Sequence, residues 1–177
     1  NGFTTLSDFY NKFEDDDTRR GGSYPGVTDV SGLKVGFLVG QQYNEKGEKI
    51  LDRNGRPLVF TPEIDIRVTG DAVESAGIRV IKYPPDIKSG GNEASNDFVF
   101  MRYADVLLMK AEALLRTNGA PAALTIVNTL RTKRGASALG ELTLNTMIDE
   151  RGRELYWEGW RRQDLIRFGK YLDNWQL

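Results

Sequence analysis

The 177-residue sequence contains neither cysteine nor histidine. Without cysteine there can be no disulfide bond, no thiolate nucleophile and no zinc site with cysteine ligands. Without histidine there can be no Ser-His-Asp triad, no imidazole base and no histidine-ligated metal. Carboxylates, lysines, tyrosines and backbone donors are left for chemistry, so most of the common enzyme mechanisms are excluded.

The sequence also lacks a basic excess and a long apolar run. Lys and Arg number 24 against 25 Asp and Glu, so the net charge is −1 and nucleic acid is not an expected partner. No run reaches about 18 apolar residues, so no membrane-spanning segment is predicted. The chain starts at Asn1 without a methionine or a leader, and we therefore expect a fragment of a longer protein.

The first part of the chain, residues 1–97, is predicted to be rich in loops and hairpins. The segment LSDFYNKF has helical spacing of apolar residues, with Thr5 as its N-cap. Asn54-Gly55 favours a hairpin turn with positive φ at both positions. Short apolar or alternating runs predict strands at Val35–Val39, Glu63–Val68 and Ile78–Tyr83.

Residues 98–177 have helical character instead. Apolar residues recur at helical spacing in four segments, Arg102–Thr117, Pro121–Arg134, Thr143–Glu158 and Arg161–Leu172. Gly119 suits the left-handed position that ends the first helix, and Gly159 interrupts the pattern between the last two. Short joints between helices predict two antiparallel helix pairs, which resemble tetratricopeptide units in geometry without a sequence repeat. We expect the two parts to form one domain.

The densest stretch of charge and aromatic residues is Asp149–Phe168. Glu150, Glu154 and Glu158 have i, i+4, i+8 spacing, so they lie on one helix face. A glycoside hydrolase is one hypothesis, since retaining enzymes hold two carboxyls about 5 to 5.5 Å apart. However, two acids on one face point the same way, and nearby arginines lower both pKa values where the general acid needs a raised one.

A structural network is the favoured interpretation of that stretch. Helical spacing pairs Glu158 with Arg161 or Arg162, Glu154 with Arg151, and Asp164 with Arg167. The network would join the third helix to the fourth across the Gly159 break. Its members are Glu150, Arg151, Glu154, Glu158, Arg161, Arg162, Asp164 and Arg167. Trp157 and Trp160 are expected to pack against the helices.

An acidic run, Asp15, Asp16 and Asp17, is followed by Arg19 and Arg20. Clustered carboxylates can bind calcium, so these three are weak calcium candidates. The run lacks the spaced ligand pattern of an EF-hand loop, and a solvated charge run is the favoured interpretation. No other metal or cofactor is expected.

Three segments resemble the C-terminal part of the SusD/RagB family: FMRYADVLLMKAEALLRTNG, IVNTLRTKRGA and IDERGRELYWEGWRRQDLIRFGKYL. The family pattern is an Arg-Tyr-Ala-acid-Val-Leu-Leu helix with Ala-Glu-Ala, then Asn-x-Leu-Arg, then a Glu-Arg-x-x-Glu-Leu-x-x-Glu-Gly stretch. Spacing and order agree over about half of the chain.

The resemblance implies a mainly α fold, a tetratricopeptide-like helix-pair scaffold with long loops and a few short β-strands. It further implies a non-catalytic surface lipoprotein of the Bacteroidetes outer membrane. Such a protein binds oligosaccharides, or sometimes peptides, for uptake through a SusC-like TonB-dependent transporter. Its lipid anchor would lie outside this fragment. A helical scaffold for a protein partner remains an alternative, and the glycoside hydrolase a weaker one.

Family ligand sites use loop aromatics that stack on sugar rings, together with polar side chains that bind hydroxyls. Among the loop aromatics here, Tyr24 and Tyr43 lie in turn-rich polar stretches and are the candidate glycan-binding residues. Asn92 and Asn96 are weaker candidates. A tyrosine that only packs on the scaffold is the alternative at each position.

Overall fold

The computed structural model describes residues 4–22, 35–44, 46–64, 75–83 and 97–173. The chain divides into two compact units. We call Asn1–Asn11, Arg20–Asn96 and Gln176–Leu177 the hairpin unit, and Lys12–Arg19 with Asp97–Trp175 the helical unit. This division differs from the sequence-based one at residue 97 chiefly because Lys12–Arg19 belongs to the helical unit.

The hairpin unit contains a four-stranded antiparallel sheet with the order β1-β6-β3-β2. Its strands are β1 (Thr4–Thr5), β2 (Gly21–Gly22), β3 (Val35–Leu38) and β6 (Ile78–Ile81). Val35, Leu38 and Ile78 are buried and supply its apolar residues. Branched side chains of this kind fit a pleated, half-buried surface.

Helix α1 is shorter than its sequence pattern predicts. It spans Ser7–Tyr10, with Leu6 as an N-cap that makes no side-chain capping bond. The predicted cap, Thr5, lies in β1 and pairs with Ile78 instead. The strand pairing takes Thr5 away from the helix terminus, and a short 3-10 helix, Thr18–Arg20, then leads into β2.

Strands β2 and β3 approach each other at a pair of glycines. Gly21 pairs with Gly36, and both have positive φ, 102° and 103°. A Cβ atom on Gly36 would lie 2.2 Å from the Cα of Gly21. Any larger residue would have to push the two backbones apart, so this pairing depends on glycine.

A second ribbon pairs β4 (Gly40–Gln41) with β5 (Val59–Phe60). The predicted hairpin around Asn54-Gly55 lies next to it, but its turn differs from the predicted one. Gly55 has φ 75°, whereas Asn54 is not among the residues with positive φ. The Asp52 carboxylate accepts backbone N–H bonds from Asn54 and Arg56, which stabilises a longer loop.

Four helices form the helical unit: α2 (Tyr103–Arg116), α3 (Ala120–Lys133), α4 (Leu144–Leu155) and α5 (Arg161–Arg167). Helix α2 packs on α3 and α4, and α4 packs on α5. The apolar core consists of Ala104, Leu108, Ala111, Ala123, Val127, Leu130, Leu142, Met147 and Leu155. The predicted mainly α fold of helix pairs with short strands is confirmed. None of the helices within the described ranges is long and apolar enough to cross a membrane.

The ends of these helices refine the sequence prediction. Thr143 caps α4 through a reciprocal capping box with Thr146. After α2, Asn118 adopts the left-handed conformation, φ 67°, rather than Gly119. Helix α4 ends at Leu155, before the predicted Glu158, and Trp157 has φ 61°.

Candidate functional site

The hairpin unit contains a cavity of about 330 Å³ beside strands β2, β3 and β4. We call it the Tyr10–Tyr43 cavity. Its volume lies at the lower end of the range for small-ligand sites. The polar and aromatic side chains in its wall are Tyr10, Arg20, Phe37, Gln41, Gln42 and Tyr43.

Two aromatic rings and a guanidinium form one wall of this cavity. Arg20 Nη2 donates a 2.6 Å hydrogen bond to the Tyr10 hydroxyl, and the Arg20 Cζ lies 4.3 Å from the Tyr10 ring centroid. The Tyr10 ring meets the Phe37 ring edge to face at 5.5 Å. Phe9 contacts the other side of Phe37 at 6.3 Å. These contacts fix the rings and the cation in place before any ligand arrives.

Two amides and a tyrosine also line the cavity. Gln42 is buried, and its Nε2 donates to the carbonyl oxygens of Val39 and Gly40. Gln41 Nε2 donates to the carbonyl oxygen of Gln42 at 2.7 Å. Tyr43 is 46% exposed, and its backbone forms an isolated antiparallel β-bridge with Lys49. The backbone holds the amides, while the Tyr43 ring keeps an accessible face.

The chemistry of this wall suits a neutral, hydroxyl-rich ligand. Aromatic rings offer faces for the apolar side of a sugar ring, and guanidinium and amide groups bind hydroxyls. None of the described lining residues is an aspartate, a glutamate or a lysine. Those residues therefore supply contacts for binding but no carboxylate pair for hydrolysis.

The structure places one of the four predicted glycan-binding residues at this cavity. Tyr43 contributes to its wall. Tyr24, Asn92 and Asn96 lie outside the described residues. The glycan-binding role of all four residues stays a prediction.

Other wall residues were missed by sequence reasoning. Tyr10 was assigned to the buried face of a helix, and Arg20 to a solvated charge run. Phe37 lies in the predicted strand Val35–Val39 and also counts among the loop aromatics of the sequence, but it is not one of the predicted glycan-binding residues. The Gly21-Gly22 pair next to Arg20 was a usable signal, since glycines let a backbone approach closely.

The second feature is a buried ion-pair network in the helical unit. Glu150 is fully buried and accepts hydrogen bonds from three arginines, Arg19 Nη1 at 2.6 Å, Arg131 Nη1 at 2.7 Å and Arg153 Nη2 at 2.7 Å. Burial alone would raise the pKa of Glu150, but the charges of Arg19 and Arg153 outweigh burial, and its pKa is lowered.

Glu154 and Glu158 are held by arginines from other segments. Arg102 donates from Nη1 to Glu154 at 2.6 Å and from Nε to Glu158 at 2.8 Å. Arg134 Nη2 donates to Glu154 at 2.7 Å. Burial raises the pKa of Glu154, but hydrogen bonds from Arg134 and Arg102 outweigh it and lower the pKa to about 2. Glu154 is therefore a structural anion, and Glu158 is held by the same Arg102 guanidinium.

Arg151 occupies the centre of a separate chain of ion pairs. Its Nη1 donates to Asp105 at 3.1 Å, and its Nε donates to Asp164 at 2.9 Å. Arg167 Nη2 donates to the other oxygen of Asp164. Arg151, Asp105 and Asp164 are almost completely buried, so this chain connects α2, α4 and α5 inside the unit.

The pairing differs from the ladder predicted within Asp149–Phe168. The Asp164–Arg167 pair is present. Glu154 and Glu158 instead bind Arg102, which lies outside that stretch. Their side chains point into the core, where neighbours from distant segments approach more closely than neighbours along the same helix. Trp157, expected to pack, is 47% exposed beside the buried Glu158.

Two further members of the predicted network have other contacts. Arg161 Nη1 donates to the carbonyl oxygen of Ile148, and its Nη2 lies 3.9 Å from Asp149. The Arg162 guanidinium lies 5.2 Å from the ring centroid of Tyr171. These arginines stabilise the helix ends from the surface side.

The acidic run is divided between surface and interior. Asp15 and Asp16 are exposed, while Asp17 is buried and paired with Arg19 at 2.7 Å. The interpretation of a solvated run therefore fails for Asp17. Across the described ranges, no group of three or more acidic side chains is placed to hold a metal ion.

Comparison with known proteins identifies the family of this chain. Residues 72–177 match the family model described as the SusD family. The chain is 32% identical over 124 residues to the starch-binding protein SusD of Bacteroides thetaiotaomicron. That match covers 62% of this chain and 22% of the relative.

Solved structures give the same result. A SusD-like carbohydrate binding protein from Bacteroides vulgatus is 26% identical, with a TM-score of 0.55 and coverage of 93% of this chain and 27% of the other. Surface glycan-binding protein A from Bacteroides uniformis is also 26% identical, with a TM-score of 0.56 and coverage of 94% and 29%. The chain spans less than a third of the length of these relatives. Since the family model matches more than half of the chain, this protein belongs to the SusD family.

Proposed function

We propose that this chain is part of a non-catalytic protein that binds oligosaccharides, and that the Tyr10–Tyr43 cavity contacts the glycan. The observation that carries the proposal is the cavity wall, in which accessible rings lie beside guanidinium and amide groups. Two relatives support the ligand class, because their names describe starch binding and surface glycan binding.

The residues of the cavity wall have different roles in this proposal. The accessible face of Tyr43 stacks on the apolar side of a sugar ring, and Arg20 donates to a ring hydroxyl. Gln41 and Gln42 provide further polar groups in the cavity wall. Because Arg20 is already held by Tyr10, little side-chain entropy is lost on binding.

The absence of catalysis is part of the proposal. The best carboxylate candidates, Glu150 and Glu154, are buried and bound by arginines, and both have lowered pKa values. A glycoside hydrolase needs one carboxyl with a raised pKa that reaches the scissile bond. Neither residue fits that role.

Family membership suggests a cellular setting. The glycan-binding protein would lie at the outer-membrane surface of a Bacteroidetes cell, anchored by a lipid outside this chain. It would deliver its ligand to a SusC-like TonB-dependent transporter. Co-purification of the full-length protein with such a transporter from native membranes tests this assignment.

A helical scaffold for a protein partner is the second candidate function, and one observation favours it. Phe98 and Phe100, just before α2, and Tyr103, its first residue, are large apolar or aromatic side chains that are exposed. Apolar surfaces of this kind are typical of protein contacts. Two results together would favour the scaffold. The wild type would capture a protein partner that a Phe98→Ser, Phe100→Ser double variant does not, and the wild type would bind no glycan.

Glycan binding is tested with the purified chain on a glycan array and in native gels containing soluble starch. We expect Tyr43→Ala to weaken binding about tenfold, because it removes a stacking ring. Tyr103→Ala is the matched control, since Tyr103 is exposed in the helical unit and remote from the cavity in sequence. Far-UV circular dichroism of each variant checks folding.

Two results would contradict the proposal. One is release of reducing ends from a bound glycan by the wild type. The other is equal glycan binding by wild type and Tyr43→Ala while both remain folded, which would remove Tyr43 from the site. Tyr24→Ala tests the remaining tyrosine prediction in the same assay.

A further inference from the structure

The helical unit contains a second cavity, of about 580 Å³, between α2 and α5. We call it the Glu112 cavity. Its volume falls within the range of small-ligand sites. Met109, Ala113 and Trp160 supply apolar surface, while Glu112, Arg116, Gln163 and Arg167 supply polar groups.

The Glu112 carboxylate is the unusual group in this wall. Glu112 is 4% exposed, and its Oε1 accepts hydrogen bonds from Arg116 and Arg167. Its Oε2 is buried and has no hydrogen-bond partner among the described residues. A buried carboxylate oxygen without a donor is costly, because it has lost its water. A molecule that donated a hydrogen bond to this oxygen would remove that cost.

The arginines beside Glu112 are fixed before that molecule binds. The Phe168 ring lies between them, with its centroid 4.8 Å from Arg116 Cζ and 5.0 Å from Arg167 Cζ. Arg167 is also held by Asp164. The polar groups of the wall are therefore preorganised, which lowers the entropy cost of binding.

The charge of the wall selects against ions. Arg116, Arg151 and Arg167 face Glu112 and Asp164, so positive and negative groups nearly balance. A cation would meet three guanidinium groups, and an anion would meet two carboxylates. A neutral molecule with both donors and acceptors fits this arrangement best.

We propose that the Glu112 cavity binds a neutral polyol of about the size of one sugar ring. One hydroxyl donates to Glu112 Oε2, and other hydroxyls accept from the arginines and Gln163. The apolar face of the ring lies on Trp160, whose own orientation is supported by Phe100 at 6.5 Å. This site is separate from the Tyr10–Tyr43 cavity and does not depend on the function proposed for it.

The three methionines provide a direct test by NMR of methyl-labelled protein. Met109 lies in the cavity wall, whereas Met147 is fully buried in the core and serves as an internal control. Titration with D-glucose and D-galactose to about 50 mM exceeds a weak Kd of about 1 mM. We expect the Met109 methyl signal to shift and saturate, and the Met147 signal to stay in place.

Two variants locate the effect. Glu112→Gln should weaken the sugar titration at least about tenfold, since a charged acceptor is lost. Ala113→Phe fills the cavity from an exposed position and should abolish the Met109 shift without disturbing the fold. Glu141→Gln is the control, because Glu141 is exposed and is not part of the cavity wall.

Three outcomes would overturn the proposal. The first is a Met109 signal that no sugar moves, which would leave water as the only occupant. The second is a shift that persists in Ala113→Phe. The third is a Met109 shift that saturates with acetate or methylammonium but not with sugars, which would show that the cavity binds an ion.

Discussion

The two units of this protein are stabilised in different ways. The helical unit combines a core of nine apolar residues with buried arginine–carboxylate pairs around Glu150, Glu154 and Arg151. In the described part of the hairpin unit, the buried apolar residues are only Val35, Leu38, Phe60 and Ile78. Its shape depends more on strand pairing, loop hydrogen bonds and glycines with positive φ.

The helical unit and the hairpin unit, which contains the proposed binding surface, should therefore differ in how well they tolerate substitution. Buried ion pairs tolerate little change, because removing one partner leaves a charge without compensation. Loops and short strands tolerate substitution of exposed side chains much better. The helical unit thus suits a fixed frame, and the hairpin unit suits a surface whose contacts vary with the ligand.

The tryptophans allow the units to be observed separately. All three, Trp157, Trp160 and Trp175, lie in the helical unit, so tryptophan fluorescence reports on that unit. Amide hydrogen exchange in β3 and β6 reports on the hairpin unit.

The largest effect is expected from Arg151→Met. Arg151 is buried between Asp105 and Asp164, and its removal leaves two carboxylates without their shared cation. We expect the free energy of unfolding of the helical unit to fall by about 3–5 kcal/mol. Urea denaturation followed by tryptophan fluorescence measures the change.

Arg162→Met is the matched control for that experiment. Arg162 is exposed and contacts the ring of Tyr171, so its loss should cost less than about 0.5 kcal/mol. If Arg151→Met and Arg162→Met lower the free energy of unfolding equally, the buried ion pairs contribute no more to the stability of the helical unit than a surface arginine does.

The second effect is a loss of stability of the helical unit in acid. The pKa of Glu154 is lowered from 4.5 to about 2 in the folded protein. Glu154 therefore contributes about 3 kcal/mol to the free energy of unfolding. This contribution is fully present above the pKa that Glu154 has in the unfolded protein, and it is lost as the pH falls from about 5 to 2. Glu150 adds to this effect, since its pKa is also lowered.

Fluorescence-detected urea unfolding at intervals between pH 7 and pH 2 measures this dependence. A Glu154→Gln variant should be less stable at pH 7 and show a flatter pH profile, because its side chain does not titrate. A helical unit that keeps its full stability at pH 2 would contradict the assigned role of Glu154.

Much of the helical unit was predictable from sequence because its signals are local. Apolar spacing indicates the helices, and Thr143 with Thr146 indicates where α4 begins. The partners of the buried charges were less accessible. Arg102 and Glu154 are 52 residues apart, and no local pattern links them. Helical spacing predicts in-helix pairs, whereas burial selects partners by position in space.

The candidate site was harder to predict than the fold. Tyr43 could be proposed from the sequence because an aromatic residue in a polar, turn-rich stretch is conspicuous. Tyr10 and Arg20 were missed because their meeting depends on a turn between them and on the pairing of β2 with β3. Their individual patterns, a helical face and a charge run, are both typical of ordinary structure.

The smallest of the three effects is expected from Gly36→Ala in the hairpin unit. The new Cβ would overlap the backbone of Gly21 at a φ of 103°, so β2 and β3 must separate. We expect a local cost of about 2 kcal/mol, seen as about 30-fold faster amide exchange in β3 and β6. The tryptophan-detected unfolding transition should stay where it is in the wild type.

Gly47→Ala separates steric overlap from backbone strain. Gly47 has φ 78°, and a Cβ there meets nothing within 4 Å, so only the strain of about 1 kcal/mol remains. Faster exchange in Gly36→Ala than in Gly47→Ala would identify the glycine pair as a structural requirement of the sheet. If Gly36→Ala instead shifts the tryptophan transition by the same free energy, the two units unfold together. The two units would then differ in the contacts that hold them together but not in their stability.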